Sequence, residues 1–371
     1  MKRIKKVIAA MLALVMMSAA AGCSTDKSWA MKTDTLTAPI GTYIYYLYSA
    51  YQSASSSVTD SSKPVLDQKI DNQDAKTWIK NKALDYTKEL FVIDDKMKEM
   101  KLTLTADETK NISDATDSQW SQYSSTLEKY GVSKNSFNTA YADYAAKYQK
   151  IFEATYGKGG TKAVSDADLK AYFEKNYTDI SYVVAPLYKA DASGSYAALT
   201  DAEKAAIKKE FEGYAADITA GKKTMQQAAD DYKTSSKQTN DQLNTATVVM
   251  DSDTSFPTEF KAAVDAMKPG QVKALELSTS GVYVLISKND ITKKTTEQFS
   301  SDSGRSAVLS QMKSKEFSTE IQNAAKAYSK ATVNQKAIDS YDPSMFYVAT
   351  SSSAAAAAPA SSAAASSASS K

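Results

Sequence analysis

Apolar residues recur every three or four positions over most of the first 160 residues, which is the spacing of amphipathic helices. The clearest stripe consists of Ile79, Ala83, Tyr86, Leu90, Ile93, Met97 and Met100. An earlier stripe follows Thr37, which we expect to cap a helix that has Pro39 in its first turn. Stripes of this kind indicate helices that pack on one another.

Start signals mark two more helices in this region. The sequence Thr105-Ala106-Asp107-Glu108 has the form of a capping box and predicts a helix that ends near Gly131. Ser133 is expected to cap the next helix, which Gly157 ends. Residues from about 30 to 160 are therefore predicted to be all-helical.

The pattern changes after Gly157, where short alternating apolar runs predict strands at 180–188, 245–250, 272–278 and 281–288. Helices are predicted between them, the first from the capping box that begins at Thr200. The order β, α, α, β, α, β, β fits one small α+β domain. A long helical pattern at 296–330 has no partner there, so we expect it to pack on the N-terminal helices. The predicted fold class is α+β: an all-helical domain split in sequence by an inserted α+β domain with a small four-stranded sheet.

The first 22 residues have the composition of a secretory signal peptide. MKRIKK carries four basic residues, and the fifteen-residue apolar run that follows is shorter than the roughly 20 residues of a membrane-spanning helix. Ala20-Ala21-Gly22-Cys23 is similar to a bacterial lipobox, so we expect a lipid on Cys23 that holds the protein on the extracytoplasmic face of the cell membrane. A signal peptide cleaved beside an incidental cysteine is the alternative.

Charge and residue counts exclude several classes of function. Without the four basic residues of the leader, 41 basic residues stand against 43 acidic ones, which leaves no basic field for nucleic acid. The chain has no histidine and one cysteine, which excludes histidine-based catalysis, His-ligated zinc and an intrachain disulfide. No dinucleotide-binding or phosphate-binding glycine motif occurs. We therefore expect no cofactor and no metal.

Two long stretches resemble the parvulin-type peptidyl-prolyl isomerases. The segment FPTEFKAAVDAMKPGQV, followed by STSGVYVLIS, is similar to the C-terminal half of that domain, and KAAIKKEFEGYAADITAGKKTMQQAADDY is similar to its helix pair. With the lipobox and the flanking helices, the chain resembles the extracytoplasmic foldase lipoproteins of the PrsA type and, more loosely, the periplasmic chaperone SurA. The resemblance implies unfolded or newly secreted polypeptides as partners.

The sequence patterns and the resemblance together predict a division of the chain into five parts. These are a lipoprotein signal peptide (1–22), an N-terminal helical chaperone-like domain (23–177), a parvulin-like domain (178–292), a C-terminal helix on the N-terminal domain (293–349) and a disordered Ser/Ala tail (350–371).

The resemblance also places the candidate site residues. Val248, Phe256 and Phe260 fall where the family holds the substrate proline, whereas the two family histidine positions fall on Tyr182 and Tyr283. We expect these tyrosines to face each other across the sheet, in a degenerate active site with no assigned catalytic residue. The same residues are also compatible with ordinary strand and core packing.

Three functions stay open at this point. The first is a foldase or chaperone whose parvulin-like domain is weak or inactive as an isomerase. The second is an active peptidyl-prolyl cis-trans isomerase that uses tyrosines in place of histidines. The third is a ligand-binding or structural surface lipoprotein.

Overall fold

The computed structural model describes residues 28–190 and 195–347. Contacts divide the chain into two compact units, and the first combines the described residues up to Ile151 with those from Glu320 onward. The second unit is continuous and spans Phe152–Thr319.

Several predictions concern residues outside the described ranges. They are the signal peptide at 1–22, the lipid on Cys23 and the Ser/Ala tail at 350–371. Within the described ranges, no helix has both the length and the apolar character that a membrane span requires.

The first unit begins with strands and continues with helices. Its elements are β1 (Trp29–Lys32), β2 (Thr37–Pro39), α1 (Ile40–Ser57), β3 (Lys69–Ile70), β4 (Gln73–Asp74), α2 (Ala75–Glu99), α3 (Ala106–Leu127), α4 (Lys134–Asn138) and α5 (Tyr144–Tyr156). A π-helical turn, Thr139–Asp143, joins α4 to α5. The caps at Thr105 and Ser133 are confirmed, because each hydroxyl accepts a hydrogen bond from the backbone N–H three residues later.

The predicted start of the first helix was wrong. Thr37 pairs with Lys32 in the antiparallel ladder between β1 and β2, and the helix begins at Ile40 after Pro39. Proline disfavours helical backbone in the residue before it, which keeps Ala38 extended. The chain therefore enters α1 from a strand.

The second unit carries the predicted α+β domain. Its elements are α6 (Asp166–Asn176), β5 (Thr178–Pro186), β6 (Tyr188–Ala190), β7 (Tyr196–Ala198), α7 (Asp201–Thr219), α8 (Met225–Ser235), β8 (Asn244–Val248), α9 (Thr258–Asp265), β9 (Val272–Leu277), β10 (Val282–Lys288), α10 (Thr292–Gln298) and α11 (Asp302–Lys326). The unit is larger than the predicted domain at 178–292, because it also holds the last residues of α5, all of α6 and α10, and most of α11.

A four-stranded antiparallel sheet in the order β8-β5-β10-β9 forms the centre of this unit. One face is covered by α7 and α8, with Phe211 and Tyr232 in the core. The other face is covered by α9, with Phe260 and Val264 in a second core. The sheet is therefore buried on both sides, which explains why β10 is an almost continuous apolar run.

A polar network closes one end of the sheet. Asp179 is 5% exposed, and its carboxylate accepts hydrogen bonds from Thr247 Oγ1 at 2.7 Å and Asn289 Nδ2 at 3.0 Å. Asn289 Nδ2 also donates to Ser181 Oγ at 3.1 Å. These bonds compensate the cost of burying the carboxylate and tie β5 to β8 and to the residue after β10.

After α11 the chain returns to the first unit. β11 (Thr332–Val333) pairs with β1, and α12 (Gln335–Asp339) follows. Phe346 is then buried against the rings of Tyr48, Tyr51 and Tyr130. The fold class is confirmed, since a mostly helical chain carries a small antiparallel sheet. The prediction that residues from about 30 to 160 are all-helical was wrong at the short strands β1, β2, β3 and β4, and β11 was not predicted either.

Candidate functional site

The two tyrosines that we predicted at the family histidine positions lie on opposite faces of the sheet. Tyr182 on β5 is opposite Ile286, whereas Tyr283 on β10 is opposite Ala185. Opposed residues of an antiparallel pair share a face, and successive residues alternate between faces. The prediction that Tyr182 and Tyr283 face each other was therefore wrong.

Tyr283 belongs to the core under α7 and α8. Its side chain is 5% exposed, and its ring lies 5.9 Å from that of Phe211 in an edge-to-face arrangement. Burial, followed by the charges of Glu212 and Glu276, raises the pKa of Tyr283. This tyrosine packs as a core residue.

Tyr182 lies on the other face, together with the predicted substrate-binding residues. Its ring centroid is 5.8 Å from that of Phe256 and 5.4 Å from that of Phe260. The two phenylalanine rings are stacked, with centroids 4.8 Å apart. Val248 packs against the same apolar cluster. The structure thus brings Tyr182, Phe256 and Phe260 together, and we call these three residues the aromatic site. Val248 lies on the same face of the sheet but opposite Thr178, four residues along β5 from Tyr182.

The aromatic site combines a buried floor with accessible walls. Phe260 is 3% exposed, whereas Tyr182 and Phe256 are only half-buried. Half-buried rings around a buried one offer apolar surface that a small apolar group can cover. A proline side chain is a group of this size and character.

Helix α9 is held at both ends, which positions the two phenylalanines. At its start, the Glu259 carboxylate accepts hydrogen bonds from Ser280 N at 2.9 Å and Ser280 Oγ at 3.1 Å. At its end, Lys288 Nζ donates to the Val264 carbonyl at 3.0 Å. Because both contacts are with residues that border or belong to β10, α9 is fixed along the sheet.

The electrostatics of the site favour a neutral tyrosine. Burial, followed by the charge of Asp253, raises the pKa of Tyr182 above its usual value near 10. The hydroxyl therefore stays protonated at neutral pH and can donate a hydrogen bond, but it cannot exchange a proton as an imidazole does near pH 7. Among the described residues, no group of three or more histidine, cysteine, aspartate or glutamate side chains could hold a metal ion.

A hairpin that follows β5 was missed in the sequence. β6 and β7 pair where we predicted only a polar insertion, and they carry the exposed residues Tyr188 and Tyr196. The signal was present, because two short aromatic-containing runs flank the turn-forming composition Asp-Ala-Ser-Gly.

Comparison with known proteins identifies the domain that holds most of the site. The model of a family described as "Rotamase: PPIC-type PPIASE domain" matches residues 194–290. This range includes Val248, Phe256, Phe260 and Tyr283, but it begins after Tyr182. A search of curated proteins gives no match.

Solved structures of three foldase proteins resemble the chain. The PrsA structure from Lactococcus lactis is 17% identical, with 85% of this chain and 97% of that chain covered and a TM-score of 0.33. The structure from Streptococcus pneumoniae str. Canada MDR_19A is 15% identical, with 72% and 94% covered and a TM-score of 0.36. The structure from Bacillus subtilis is 17% identical, with 70% and 88% covered and a TM-score of 0.28.

The family match confirms the parvulin-type resemblance for the residues that it covers. From β5 to β10 the structure shows the predicted order β, α, α, β, α, β, β, with the β6–β7 hairpin added after β5. The chain therefore contains a rotamase domain of the PPIC type, the parvulin class of peptidyl-prolyl isomerase domains.

Proposed function

We propose that this protein is a foldase that binds unfolded exported polypeptides through its PPIC-type domain, outside the cytoplasmic membrane. One observation carries the proposal: Tyr182, Phe256 and Phe260 meet in a partly open aromatic site on the sheet of this domain. Proline residues of an unfolded chain are accessible, whereas those of a folded protein are mostly packed or in tight turns. The site therefore favours unfolded clients.

Isomerase activity is expected to be weak. Rotation about an X-Pro bond meets a barrier of about 18–20 kcal/mol, which is lowered when the amide is desolvated and its twisted form is stabilised. The aromatic site supplies apolar surroundings, but the chain has no imidazole and Tyr182 stays protonated. Binding without rapid turnover is the outcome that this combination supports.

An active isomerase is the second candidate. The half-buried Tyr182 hydroxyl can donate a hydrogen bond next to the two phenylalanine rings, where it would stabilise the carbonyl of a twisted amide. The two candidates differ in the rate of X-Pro isomerisation that they predict.

A protease-free isomerisation assay separates them. Exchange between the cis and trans forms of an unstructured Xaa-Pro peptide is measured by NMR with the wild type, with Phe256→Ala and with Phe299→Ala as a matched control. Phe299 is also a half-buried phenylalanine of the second unit, but it lies outside the rotamase match and contacts Phe173. Weak exchange together with peptide binding that Phe256→Ala alone reduces would support the foldase.

Two other results would change this conclusion. Rapid exchange that Phe256→Ala abolishes and Phe299→Ala preserves would establish the isomerase instead. A wild-type protein that neither binds the peptide nor suppresses aggregation of an unfolded protein would refute both candidates.

Membrane anchoring is the second part of the proposal. Cys23 follows Ala21-Gly22 at the end of an apolar run, so we propose that acyl chains on this cysteine hold the mature protein at the membrane. Metabolic labelling with a radioactive fatty acid should label the wild type and not Cys23→Ser. Equal labelling of the two proteins, or none of the wild type, would contradict the anchor.

A further inference from the structure

The β6–β7 hairpin presents two tyrosines to solvent on one face. Tyr188 is 44% exposed and Tyr196 is 75% exposed. Tyr188 is opposite Ala198, and Tyr196 is opposite Ala190, so the two tyrosines are diagonal neighbours on the same side of the hairpin. Their rings meet edge to face with centroids 5.4 Å apart. We call these two residues the tyrosine pair.

The hairpin has fixed attachments to the rotamase domain. Leu187 N, at the base of the hairpin, donates to the Gly281 carbonyl at 2.9 Å. Leu199 N closes that base by donating to the Leu187 carbonyl at 2.9 Å. Lys189 Nζ lies 2.6 Å from Glu203 Oε1 at the start of α7 and is the main reason that the pKa of Glu203 falls to about 2. An isolated two-stranded hairpin is only marginally stable in water, so these contacts with the rest of the domain fix the position of the tyrosine pair.

The turn residues Ser280 and Gly281 lie between the hairpin and the start of α9. Gly281 adopts a left-handed φ of +64°, and a Cβ at this position would lie 3.9 Å from the Tyr188 ring. The preceding residue, Ser280, donates to the carboxylate of Glu259, and Glu259 directly precedes Phe260. The hairpin and the start of α9 thus lie at the same end of the sheet.

We propose that the tyrosine pair is a second contact for the polypeptide in the aromatic site and selects clients with an aromatic residue near the proline. This inference rests on the proposed function, because it assigns a preference to the same clients. The tyrosine pair offers exposed apolar ring surface whose two rings already meet edge to face, so a further aromatic side chain is the group that it fits. Tyrosines also bind other rings with little loss of conformational entropy.

The occupant is an extended segment of an unfolded chain. Two side chains are far too few for a stable interface with a folded protein, which buries roughly 1,200–2,000 Å². Within the described part of the chain, β6 and β7 pair only with each other, which leaves backbone groups along the hairpin edges for an extended peptide. A peptide in this conformation presents alternate side chains to one surface.

Binding of three labelled peptides to the full chain tests the proposal. The peptides have equal charge: one has an aromatic residue near its proline, one has alanine in place of the aromatic residue, and one keeps the aromatic residue but has alanine in place of proline. Dissociation constants are measured by fluorescence anisotropy for the wild type, for the double variant Tyr188→Ala/Tyr196→Ala, for Phe256→Ala and for Tyr347→Ala. Tyr347 is 47% exposed and belongs to the first unit, which makes it a matched control.

We expect the double variant to weaken binding of the aromatic-proline peptide by about tenfold and to leave the alanine-proline peptide unchanged. Tyr347→Ala should bind all three peptides as the wild type does. Because both tyrosines are exposed, the double variant should unfold at the same temperature as the wild type. If its melting temperature is lower, the binding test is repeated with Tyr196→Ala alone, which changes the more exposed position.

Other binding results would overturn one or both proposals. Unchanged binding by the double variant, or an equal loss for both proline peptides, overturns the inference, and Phe256→Ala then decides the proposed function separately. Binding that depends on the tyrosine pair but not on proline supports the tyrosine contact and refutes the proline site. A wild type that binds none of the peptides refutes both proposals.

Discussion

Tyr182 and Tyr283 lie on neighbouring strands of one sheet but on opposite faces of it. Tyr182 contacts Phe256 and Phe260 under α9, whereas Tyr283 contacts Phe211 under α7. The two tyrosines therefore cannot act on the same substrate. Only Tyr182 has a hydroxyl in the aromatic site.

Removal of each hydroxyl should show this difference. We expect Tyr182→Phe to weaken binding of an Xaa-Pro peptide by roughly fivefold, because one hydrogen bond contributes about 1 kcal/mol, and we expect Tyr283→Phe to have no effect on binding. Isothermal titration calorimetry with the same peptide measures both variants. A loss with Tyr283→Phe and none with Tyr182→Phe would contradict the assignment of the site to the α9 face.

Local signals made much of the fold predictable. The hydroxyls of Thr105, Ser133 and Thr200 cap helices as expected, because a cap depends on residues within one turn. The strand bounds of β9 and β10 also follow closely from alternation and from the turn at Gly270. These features need no knowledge of distant parts of the chain.

Features that depend on distant pairing were missed. β1 pairs with β11 across some 300 residues of sequence, and each strand is too short to carry a clear pattern. The prediction that Tyr283 faces Tyr182 was wrong for the same reason. A shift of one residue in the pairing of β5 with β10 moves Tyr283 to the other face of the sheet, and no local signal in the sequence fixes that register. That Phe256 and Phe260 lie close together could be predicted from the sequence, because both belong to one short segment.

Removal of the negative charge of Glu89 should stabilise the first unit. It is 8% exposed and accepts a hydrogen bond from the Tyr144 hydroxyl at 2.6 Å, and burial is the main reason that its pKa is raised. Because the pKa of Glu89 is higher in the folded state than in the unfolded state, protonation of this carboxyl stabilises the fold. This stabilisation is lost as the pH rises through the folded-state pKa. Glu89→Gln should therefore raise the melting temperature at pH 7 by about 2–4 °C.

Thermal unfolding followed by circular dichroism at several pH values tests this expectation. The difference between Glu89→Gln and the wild type should shrink toward zero below about pH 4, where Glu89 is protonated in both the folded and the unfolded protein. Glu153→Gln, at an exposed position of α5, serves as the control. A wild type that is more stable than Glu89→Gln at pH 7 would contradict the interpretation.

Asp179 should be required for stability of the second unit. Asp179→Ala removes the acceptor for Thr247 Oγ1 and one acceptor for Asn289 Nδ2, and it leaves the Thr247 hydroxyl without its partner at a partly buried position. We expect a loss of about 1–3 kcal/mol in the free energy of unfolding, the usual cost of an unsatisfied buried polar group. Urea unfolding measures the loss, with the exposed Asp251→Ala as the control. Equal stability of the two variants would show that the network does not hold the sheet end together.

Phe346 should hold the C-terminal segment in the first unit. Its side chain is 5% exposed and lies 4.8 Å from the ring of Tyr130, with Tyr48 and Tyr51 on its other sides. Phe346→Ala leaves a cavity among these rings and should cost about 3–5 kcal/mol in the free energy of unfolding. Tyr347→Ala, one residue later at an exposed position, should cost less than about 0.5 kcal/mol. Urea unfolding followed by tyrosine fluorescence compares the two variants, and a similar small effect of both would show that the segment is not part of the core.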